Sequence, residues 1–316
     1  MAILEQDRRV VSKSRAKRWS GWKRRLIAYP LLLFGFWVGS GAGIAWLTVA
    51  PKPSRHRISP SAYKMAFETV SFSSTDGVHL SGWLIPANGT RSKGNIILCH
   101  GVDSTRVGML EKARVFHKHG YATLVYDNRA RGESGGDRCT MGFREVDDLL
   151  AAVNYLKNRH DLAGSKIMVF GESLGASVAL MGAARCPDIV AIAAESPFAC
   201  LDHALANHFH KALGWGGSLM ILPVTWAGQM MIGRNVCDIA PVSEVRNISP
   251  RPLFLIQDAD DRLCPPAETR ALLNAAGNPK QLWTVPGADH IGAIDAESKG
   301  FERRVTEFFD QSLRKR

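Results

Sequence analysis

The chain has 316 residues, of which 46% are hydrophobic and 22% charged, as is typical of one globular domain of good size with an additional segment. The formal net charge is +11, but residues 1–25 hold nine basic and two acidic residues, so this tail carries +7 and the rest of the chain only +4. A body so close to neutral argues against nucleic acid as a partner.

Residues 26–50 contain no charged side chain and have the sequence LIAYPLLLFGFWVGSGAGIAWLTVA. About 25 residues at the rise of an α-helix cover the roughly 30 Å hydrocarbon core of a bilayer with some tilt. A buried core helix and a cleaved signal peptide are the alternatives. Uncharged runs of this length are rare in soluble cores, and the apolar part of a signal peptide normally has about 7–15 residues. We therefore expect an uncleaved signal-anchor, a single transmembrane helix.

The charges on either side of this segment predict its orientation. The +7 tail at residues 1–25 outweighs Lys52, Arg55 and Arg57 on the other side. Because the larger basic excess stays in the cytoplasm, the tail is expected to be cytoplasmic and the body to lie on the outer, periplasmic or extracytoplasmic side. Residues 51–60, which carry Pro and Arg, are predicted to be a linker to a domain at 61–316.

The domain is predicted to contain eight strands and several helices. The first two strands alternate around Thr75-Asp76-Gly77, which indicates a hairpin. Strands are predicted at 67–72, 78–85, 95–99, 122–126, 166–170, 189–194, 253–257 and 281–285, and helices at about 110–119, 144–159, 176–184 and 301–313. Apolar runs separated by helices predict a parallel sheet covered on both faces, whose function lies at the carboxyl ends of its strands.

One strand end carries the motif Gly171-Glu172-Ser173-Leu174-Gly175, between an apolar β-branched run and a helical segment. Strand, tight turn and helix are the context in which G-x-S-x-G places a serine on a strained, exposed turn. A second match, Gly132-Glu133-Ser134-Gly135-Gly136, lies several residues after its strand and precedes no helix. Ser173 is therefore the candidate nucleophile, and Ser134 is predicted to be a loop residue.

Two further strand ends supply a carboxylate and a histidine. Asp258, Asp260 and Asp261 follow the strand at 253–257, and His290 follows the strand at 281–285. The order Ser…Asp…His along the chain is that of the α/β-hydrolases.

The chain resembles the α/β-hydrolases of the serine-aminopeptidase-like, membrane-anchored kind from about residue 66 to its C-terminus. The resemblance rests on the segments DGVHLSGWLIPA, HG, DNRARGESGG, GESLG, ESPF, DDRLCP and GADH. It implies an α/β-hydrolase fold, with a mostly parallel eight-stranded sheet, helices on both faces and a helical cap insertion at about 201–247. The family often has glycine where Asp258 and Asp289 stand; neither difference removes a triad member.

The resemblance also implies roles for individual residues. Ser173 corresponds to the nucleophile and His290 to the general base, and the family spacing D-x-x-x-P to Pro265 selects Asp261 as the acid, with Asp260 as the alternative. The amides of Leu174 and Val102 correspond to the oxyanion hole.

Other polar residues are given structural roles. Asp127 and Arg129 match a family loop and are expected to be structural, with Arg129 pairing with nearby carboxylates. Three histidines and one aspartate have no strong metal spacing and are expected on a cap-helix surface: His203, His208, His210 and Asp202. The six cysteines have no C-x-x-C spacing, so no zinc or redox module is expected and no disulfide pairing follows. No metal or cofactor is expected.

The insertion at 201–247 is rich in Met and Trp, which indicates either an adaptable apolar pocket or simple packing of a cap onto the body. The leading hypothesis is a serine hydrolase that cleaves carboxylic esters, acyl or lipid-like ones included, through an acyl-enzyme. An amidase or aminopeptidase uses the same triad, and a membrane-tethered binding protein without turnover uses the same fold. The sequence indicates neither a preferred substrate nor an oligomeric state.

Overall fold

The computed structural model describes residues 2–89, 91–162 and 164–314, with the side chains of residues 2–21 and 23 outside that description. Most of the basic side chains of the predicted tail thus lie outside the described residues. Within the described chain, one eight-stranded sheet forms the centre of the molecule.

The eight predicted strands are all present, each within two residues of its predicted bounds. The strands are β1 Lys52–Pro53, β2 Glu68–Ser73, β3 His79–Ile85, β4 Asn95–Cys99, β5 Ala122–Tyr126, β6 Arg131–Gly132, β7 Ile167–Glu172, β8 Ile189–Glu195, β9 Leu253–Asp258 and β10 Lys280–Val285. The large sheet has the order β10-β9-β8-β7-β4-β5-β3-β2, while β1 and β6 form a separate two-residue pairing. β2 and β3 are the predicted antiparallel hairpin, β3 also pairs antiparallel with β5, and the remaining neighbours are parallel.

Helices cover the sheet and extend from it. They are α1 Ala2–Val49, α2 Leu110–Lys118, α3 Glu145–Lys157, α4 Leu174–Arg185, α5 Leu201–Leu213, α6 Ser218–Ile232, α7 Pro241–Glu244, α8 Pro266–Ala275, α9 Ala293–Ala296 and α10 Ser298–Arg314. The predicted helices at 110–119, 144–159, 176–184 and 301–313 correspond to α2, α3, α4 and α10.

The parallel strands separate two hydrophobic cores. Successive side chains of a strand point to opposite faces, so Ile97 and Val169 belong to one core, with helices α3 and α4, while Ile96 and Met168 belong to the other, with α2 and α10. Burial on both faces explains why these strands are continuous apolar runs without alternation. This confirms the α/β-hydrolase type of sheet expected from the sequence.

The N-terminal helix α1 contains one segment, Arg24–Val49, that is long and apolar enough to cross a membrane. The first part of this segment is exposed, and its last turns reach the body, where the amide of Cys139 donates to the carbonyl of Val49. The helix begins at Ala2 and so runs through the predicted tail as well as the predicted anchor, because the boundary at residue 26 marks the end of the charged residues and not the start of the helix. Residues 51–60, predicted as a linker, include the short strand β1.

The insertion between β8 and β9 is helical. It contains α5, α6 and α7, joined by short 3-10 turns, and α6 packs against the second half of α1. Helices α5 and α6 lie over the carboxyl ends of the parallel strands, where they contribute walls to the cavity described below.

Candidate active site

Ser173 lies on the sharp turn between β7 and α4. Its backbone has φ 53° and ψ −121°, a region that non-glycine residues occupy only when the surrounding structure enforces it. Both flanking glycines are required by close approach, because a Cβ on Gly171 would collide with the carbonyl of Gly175, and a Cβ on Gly175 with that of Cys99. The motif glycines therefore let α4 start directly against β4, which leaves the hydroxyl of Ser173 at the edge of the sheet.

The three predicted triad side chains form one hydrogen-bonded series. The Nδ1 atom of His290 lies 2.7 Å from Oδ2 of Asp261, and its Nε2 atom lies 2.8 Å from Oγ of Ser173. A carboxylate can only accept, so the proton on the imidazole is held at Nδ1. The lone pair of Nε2 consequently faces Ser173, whose hydroxyl donates to it.

Asp261 is held on both oxygens. Its Oδ1 accepts hydrogen bonds from the amides of Leu263 at 2.8 Å and Cys264 at 2.9 Å, leaving Oδ2 for His290. Burial acts to raise the pKa of Asp261, but the hydrogen bond and positive charge of His290 and the Cys264 amide outweigh it, so the pKa lies below its ordinary value of 3.8. The carboxylate is ionised at neutral pH and oriented before any substrate binds.

The neighbouring carboxylates have other partners. Asp260, the alternative acid, is exposed, and its amide donates to the carbonyl of Ala288. Asp258 is buried, and its Oδ2 accepts from the Ser196 hydroxyl at 2.8 Å and from the amide of Gly292 at 3.2 Å. Burial raises the pKa of Asp258 to about 6. Asp258 thus ties down the loop that carries His290 instead of contacting the imidazole.

Two backbone amides flank Ser173. Leu174 is the first residue of α4, where amides have no acceptor inside the helix and the helix dipole favours negative charge. Gly101, whose peptide bond carries the Val102 amide, lies against Ser173, since a Cβ there would be 3.5 Å from that of Ser173. The two predicted oxyanion-hole residues are therefore both adjacent to the nucleophile.

The peptide between Gly101 and Val102 is oriented by a buried histidine that the sequence reasoning left without a role. Nε2 of His100 accepts from the amide of Asn128 at 3.0 Å, so its Nδ1–H donates to the carbonyl of Gly101 at 2.7 Å. Burial lowers the pKa of His100, which keeps the ring neutral. Since the Gly101 carbonyl and the Val102 amide share one planar peptide, fixing the carbonyl also fixes the direction of the amide.

A buried ion cluster beneath the turn also escaped sequence reasoning. The ammonium of Lys112 lies 2.6 Å from Glu172 and 3.7 Å from Glu195, and the backbone carbonyl of Glu195 accepts from the Ser173 amide at 2.9 Å. The Glu195 carboxylate accepts from the amide of Ala293, beyond His290. Burial raises the pKa of Glu195 to about 7, although Lys112 opposes this. The acidic residues in GESLG and ESPF, Glu172 and Glu195, are the sequence signal from which it could have been found.

Ser134 and Arg129, which were expected to have structural roles, make structural contacts. The Ser134 hydroxyl, in a loop, donates to the carbonyl of Asp127 at 2.6 Å and accepts from the Ser81 amide. Arg129 pairs with the carboxylates of Asp148 and Asp76, as expected. The expectation that Ser134 is not part of the strand-to-helix turn is confirmed.

The histidines of the insertion have separate neighbours. His203 lies 3.3 Å from Glu268, His210 contacts the hydroxyl of Ser218, and His208 lines the cavity beside Ser173. The side chains of Cys200, Asp202 and His203 lie close enough together to share an ion. His208 and His210, the other two histidines of this segment, are not in that group. All six cysteines are free thiols, and Cys99 is buried in the core as expected.

A cavity of about 510 Å³ opens at Ser173 and His290. Its walls are mainly apolar and come from three parts of the chain. The body contributes Val102, Leu174 and Phe198, the insertion Leu201, Phe209 and Val224, and α1 contributes Ile44, Leu47 and Thr48. This apolar lining suits a substrate with an apolar group beside its reacting carbonyl.

Known proteins share this architecture. The family model described as Hydrolase_4, serine aminopeptidase S33, matches residues 90–225. The esterase Pf2001 of Pyrococcus furiosus superposes with a TM-score of 0.71 at 28% identity, over 84% of this chain and 98% of that one. The chain is a member of the α/β-hydrolase superfamily.

Two further proteins extend the comparison. The protein YqkD of Bacillus subtilis (strain 168), described as uncharacterized, is 29% identical over 81% of this chain and 83% of its own. The acylaminoacyl peptidase of Pyrococcus horikoshii shares the fold with a TM-score of 0.62 at 18% identity, over 81% of this chain and 44% of that one. Family and neighbours together indicate a hydrolase of ester or related bonds.

Proposed function

We propose that the protein is a membrane-anchored serine esterase that cleaves carboxylic esters with apolar acyl groups through an acyl-enzyme. The observation that carries this proposal is the continuous hydrogen-bonded series from Ser173 through His290 to Asp261, at 2.8 and 2.7 Å. This is the arrangement in which a base and an orienting carboxylate activate a serine.

The geometry supports a two-step reaction. Oγ of Ser173 attacks the ester carbonyl carbon while its proton passes to Nε2 of His290, and the carbonyl oxygen becomes an oxyanion beside the amides of Leu174 and Val102. The intermediate collapses, the C–O bond to the alcohol breaks, and His290 returns its proton to the leaving oxygen. A water molecule then repeats the sequence on the acyl-enzyme, releasing the carboxylic acid and restoring Ser173.

Asp261 contributes by charge and orientation. Protonation of His290 at Nε2 creates an imidazolium whose Nδ1–H already points at an ionised, buried carboxylate. Because the two amides on the other oxygen hold that carboxylate in place, little reorganisation accompanies the transfer of charge.

The family description names aminopeptidases, so an amidase or aminopeptidase is the second candidate. An aminopeptidase needs a carboxylate to hold the ammonium group of its substrate. Among the described residues that line the cavity, one carries a carboxylate, Asp103. This carboxylate is paired with the ammonium group of Lys52 at 2.5 Å. The apolar character of the other walls favours an acyl group at this place.

A substrate series separates these possibilities. Purified protein is offered p-nitrophenyl esters with acyl chains of increasing length and, in parallel, aminoacyl p-nitroanilides, with Ser173→Ala as the control. We expect turnover of the esters, with kcat/KM rising with chain length until the cavity is filled, and slow or no turnover of the anilides. Faster cleavage of the anilides would replace the esterase by the aminopeptidase. Absence of both activities, without labelling by a fluorophosphonate, would favour the non-catalytic binding protein.

A further inference from the structure

The second half of α1 is closely packed against α6. The indole Nε1–H of Trp37 donates to the carbonyl of Leu219 at 2.8 Å, and a Cβ on Gly41 would collide with Pro223. Ala45 is buried in a small cluster with Phe209, Val224 and Ala227 from the insertion. By contrast, residues 26–36 of α1 are all exposed.

The uncharged stretch of α1 that is fully exposed is too short to cross a bilayer by itself. Its 11 residues, 26–36, span about 16 Å at 1.5 Å per residue, whereas the hydrocarbon core is roughly 30 Å thick. The remaining half of the hydrocarbon must lie beside residues 37–48, and α6 packs along that part of the helix. If α1 spans the membrane, α6 is therefore at the depth of one leaflet.

The composition of α6 fits this depth. Ser218–Ile232 contains no charged residue and no histidine. Its outward face is a stripe at three- and four-residue spacing, with Leu219, Leu222, Trp226 and Met230 between 55% and 72% exposed. Trp215, in the turn that precedes α6, is 90% exposed and extends this apolar surface. Such a contiguous apolar surface is unusual on a soluble domain and is continuous with the exposed face of α1.

We propose that α6, with Trp215, inserts into the lipid leaflet on the side of the catalytic body, and that the substrate is an acyl ester resident in that leaflet. This rests on the proposed anchor and esterase function. The cavity beside Ser173 is walled by Ile44 and Leu47 of α1 and Val224 of α6. An acyl chain that leaves the bilayer along the α1–α6 contact thus reaches the nucleophile between apolar walls, while its ester group meets Ser173 and His290.

Photolabelling from the lipid tests the surface without needing catalysis. Full-length protein is reconstituted in vesicles of phosphatidylethanolamine and phosphatidylglycerol that contain a phospholipid with a diazirine in its acyl chain. We expect adducts, mapped by mass spectrometry, on residues 26–36 and on the α6 stripe, both in the native chain and in Ser173→Ala. Leu282, a 42% exposed leucine on the edge strand β10, should be unlabelled.

Three outcomes contradict the proposal. Adducts confined to residues 26–36 would place α6 outside the leaflet. Crosslinks from α6 to a second copy of the chain would make the stripe a protein interface. Absence of adducts from both segments would overturn the membrane anchor together with the surface.

Kinetics give an independent readout. The triple variant Leu219→Gln/Leu222→Gln/Met230→Gln changes exposed side chains that do not line the cavity, and Leu282→Gln is its control. We expect the ratio of turnover of a vesicle-borne long-chain ester to that of a soluble butyrate ester to fall by roughly tenfold or more in the triple variant, because three apolar side chains leave hydrocarbon. An unchanged ratio contradicts the proposal. If the native chain hydrolyses neither ester, the esterase function fails, and labelling alone decides the surface.

Discussion

The orientation of His290 by Asp261 leads to the sharpest mutational prediction, the replacement Asp261→Asn. In the native chain, Oδ1 accepts from two amides at 2.8 and 2.9 Å and Oδ2 accepts from the imidazole at 2.7 Å. An asparagine has one acceptor end and one donor end. Turning its NH2 group toward the two amides would leave buried donors facing a donor, at a cost of about 1–3 kcal/mol for each lost bond.

The amides therefore hold the asparagine oxygen and direct its NH2 group at His290. Nδ1 must then accept, so the proton of the neutral ring moves to Nε2, where it blocks transfer from Ser173. A wrong tautomer of this kind typically lowers turnover by about 10⁴-fold, or roughly 5–6 kcal/mol in the transition state. Because Asp261 does not line the cavity, KM should change little.

The assay compares kcat and KM of Asp261→Asn, Asp260→Asn and Asp258→Asn with a soluble p-nitrophenyl ester, after circular dichroism has confirmed folding. Asp260 is exposed, so solvent screens the interaction of its charge with His290. Its replacement should lower kcat by about tenfold or less, which corresponds to a coupling on the order of one pKa unit. Asp258 acts through the His290 loop and should also have a mild effect. If kcat fell by orders of magnitude in Asp260→Asn and stayed nearly normal in Asp261→Asn, the assignment would be refuted and Asp260 would be the acid.

Three other predictions concern the nucleophile, the topology and the buried carboxylate of Asp258. Ser173→Ala should abolish turnover and fluorophosphonate labelling, whereas Ser134→Ala should still be labelled; loss of labelling only in Ser134→Ala would reverse the assignment. A phosphatase fused after Arg57 should be active and a β-galactosidase at the same point inactive, and cytoplasmic β-galactosidase activity would contradict the predicted orientation. Burial raises the pKa of Asp258 from 3.8 to about 6, so the folded state binds the extra proton and this group's contribution to stability is lost as pH rises from about 4 through 6. The melting temperature of Asp258→Asn should therefore fall less between pH 4.5 and pH 7 than the melting temperature of the native chain. An equal fall in the two melting temperatures would show that Asp258 does not titrate in this range.

Much of the sheet was predictable because each central strand is buried on both faces. Residues such as Ile97 and Val169 lie in continuous apolar runs, and these runs mark the strands without reference to distant parts of the chain. The same runs place Ser173, Asp261 and His290 at strand ends, and the structure brings their side chains together in the predicted order. Local patterns were sufficient where burial alone determines the element.

The remaining features depend on contacts between distant segments. The pairing of Lys52–Pro53 with Arg131–Gly132 is too short to leave a periodic pattern. The packing of α1 on α6 joins Trp37 to Leu219, 182 residues apart, so neither segment indicates the other. His100 was visible as part of an HG pair, but its role depends on the amide of Asn128, which only the folded chain places beside it.

The central claim is that Ser173 carries the acyl group during turnover, and trapping the acyl-enzyme tests it most directly. The protein is mixed with a long-chain p-nitrophenyl ester, quenched in acid within the first turnover, digested and examined by mass spectrometry. The account predicts one acyl group on the peptide that contains Ser173, absent from Ser173→Ala and absent when the ester is omitted. An acyl group on the peptide that contains Ser134, or product release with no acylated peptide during the first turnover, would contradict it.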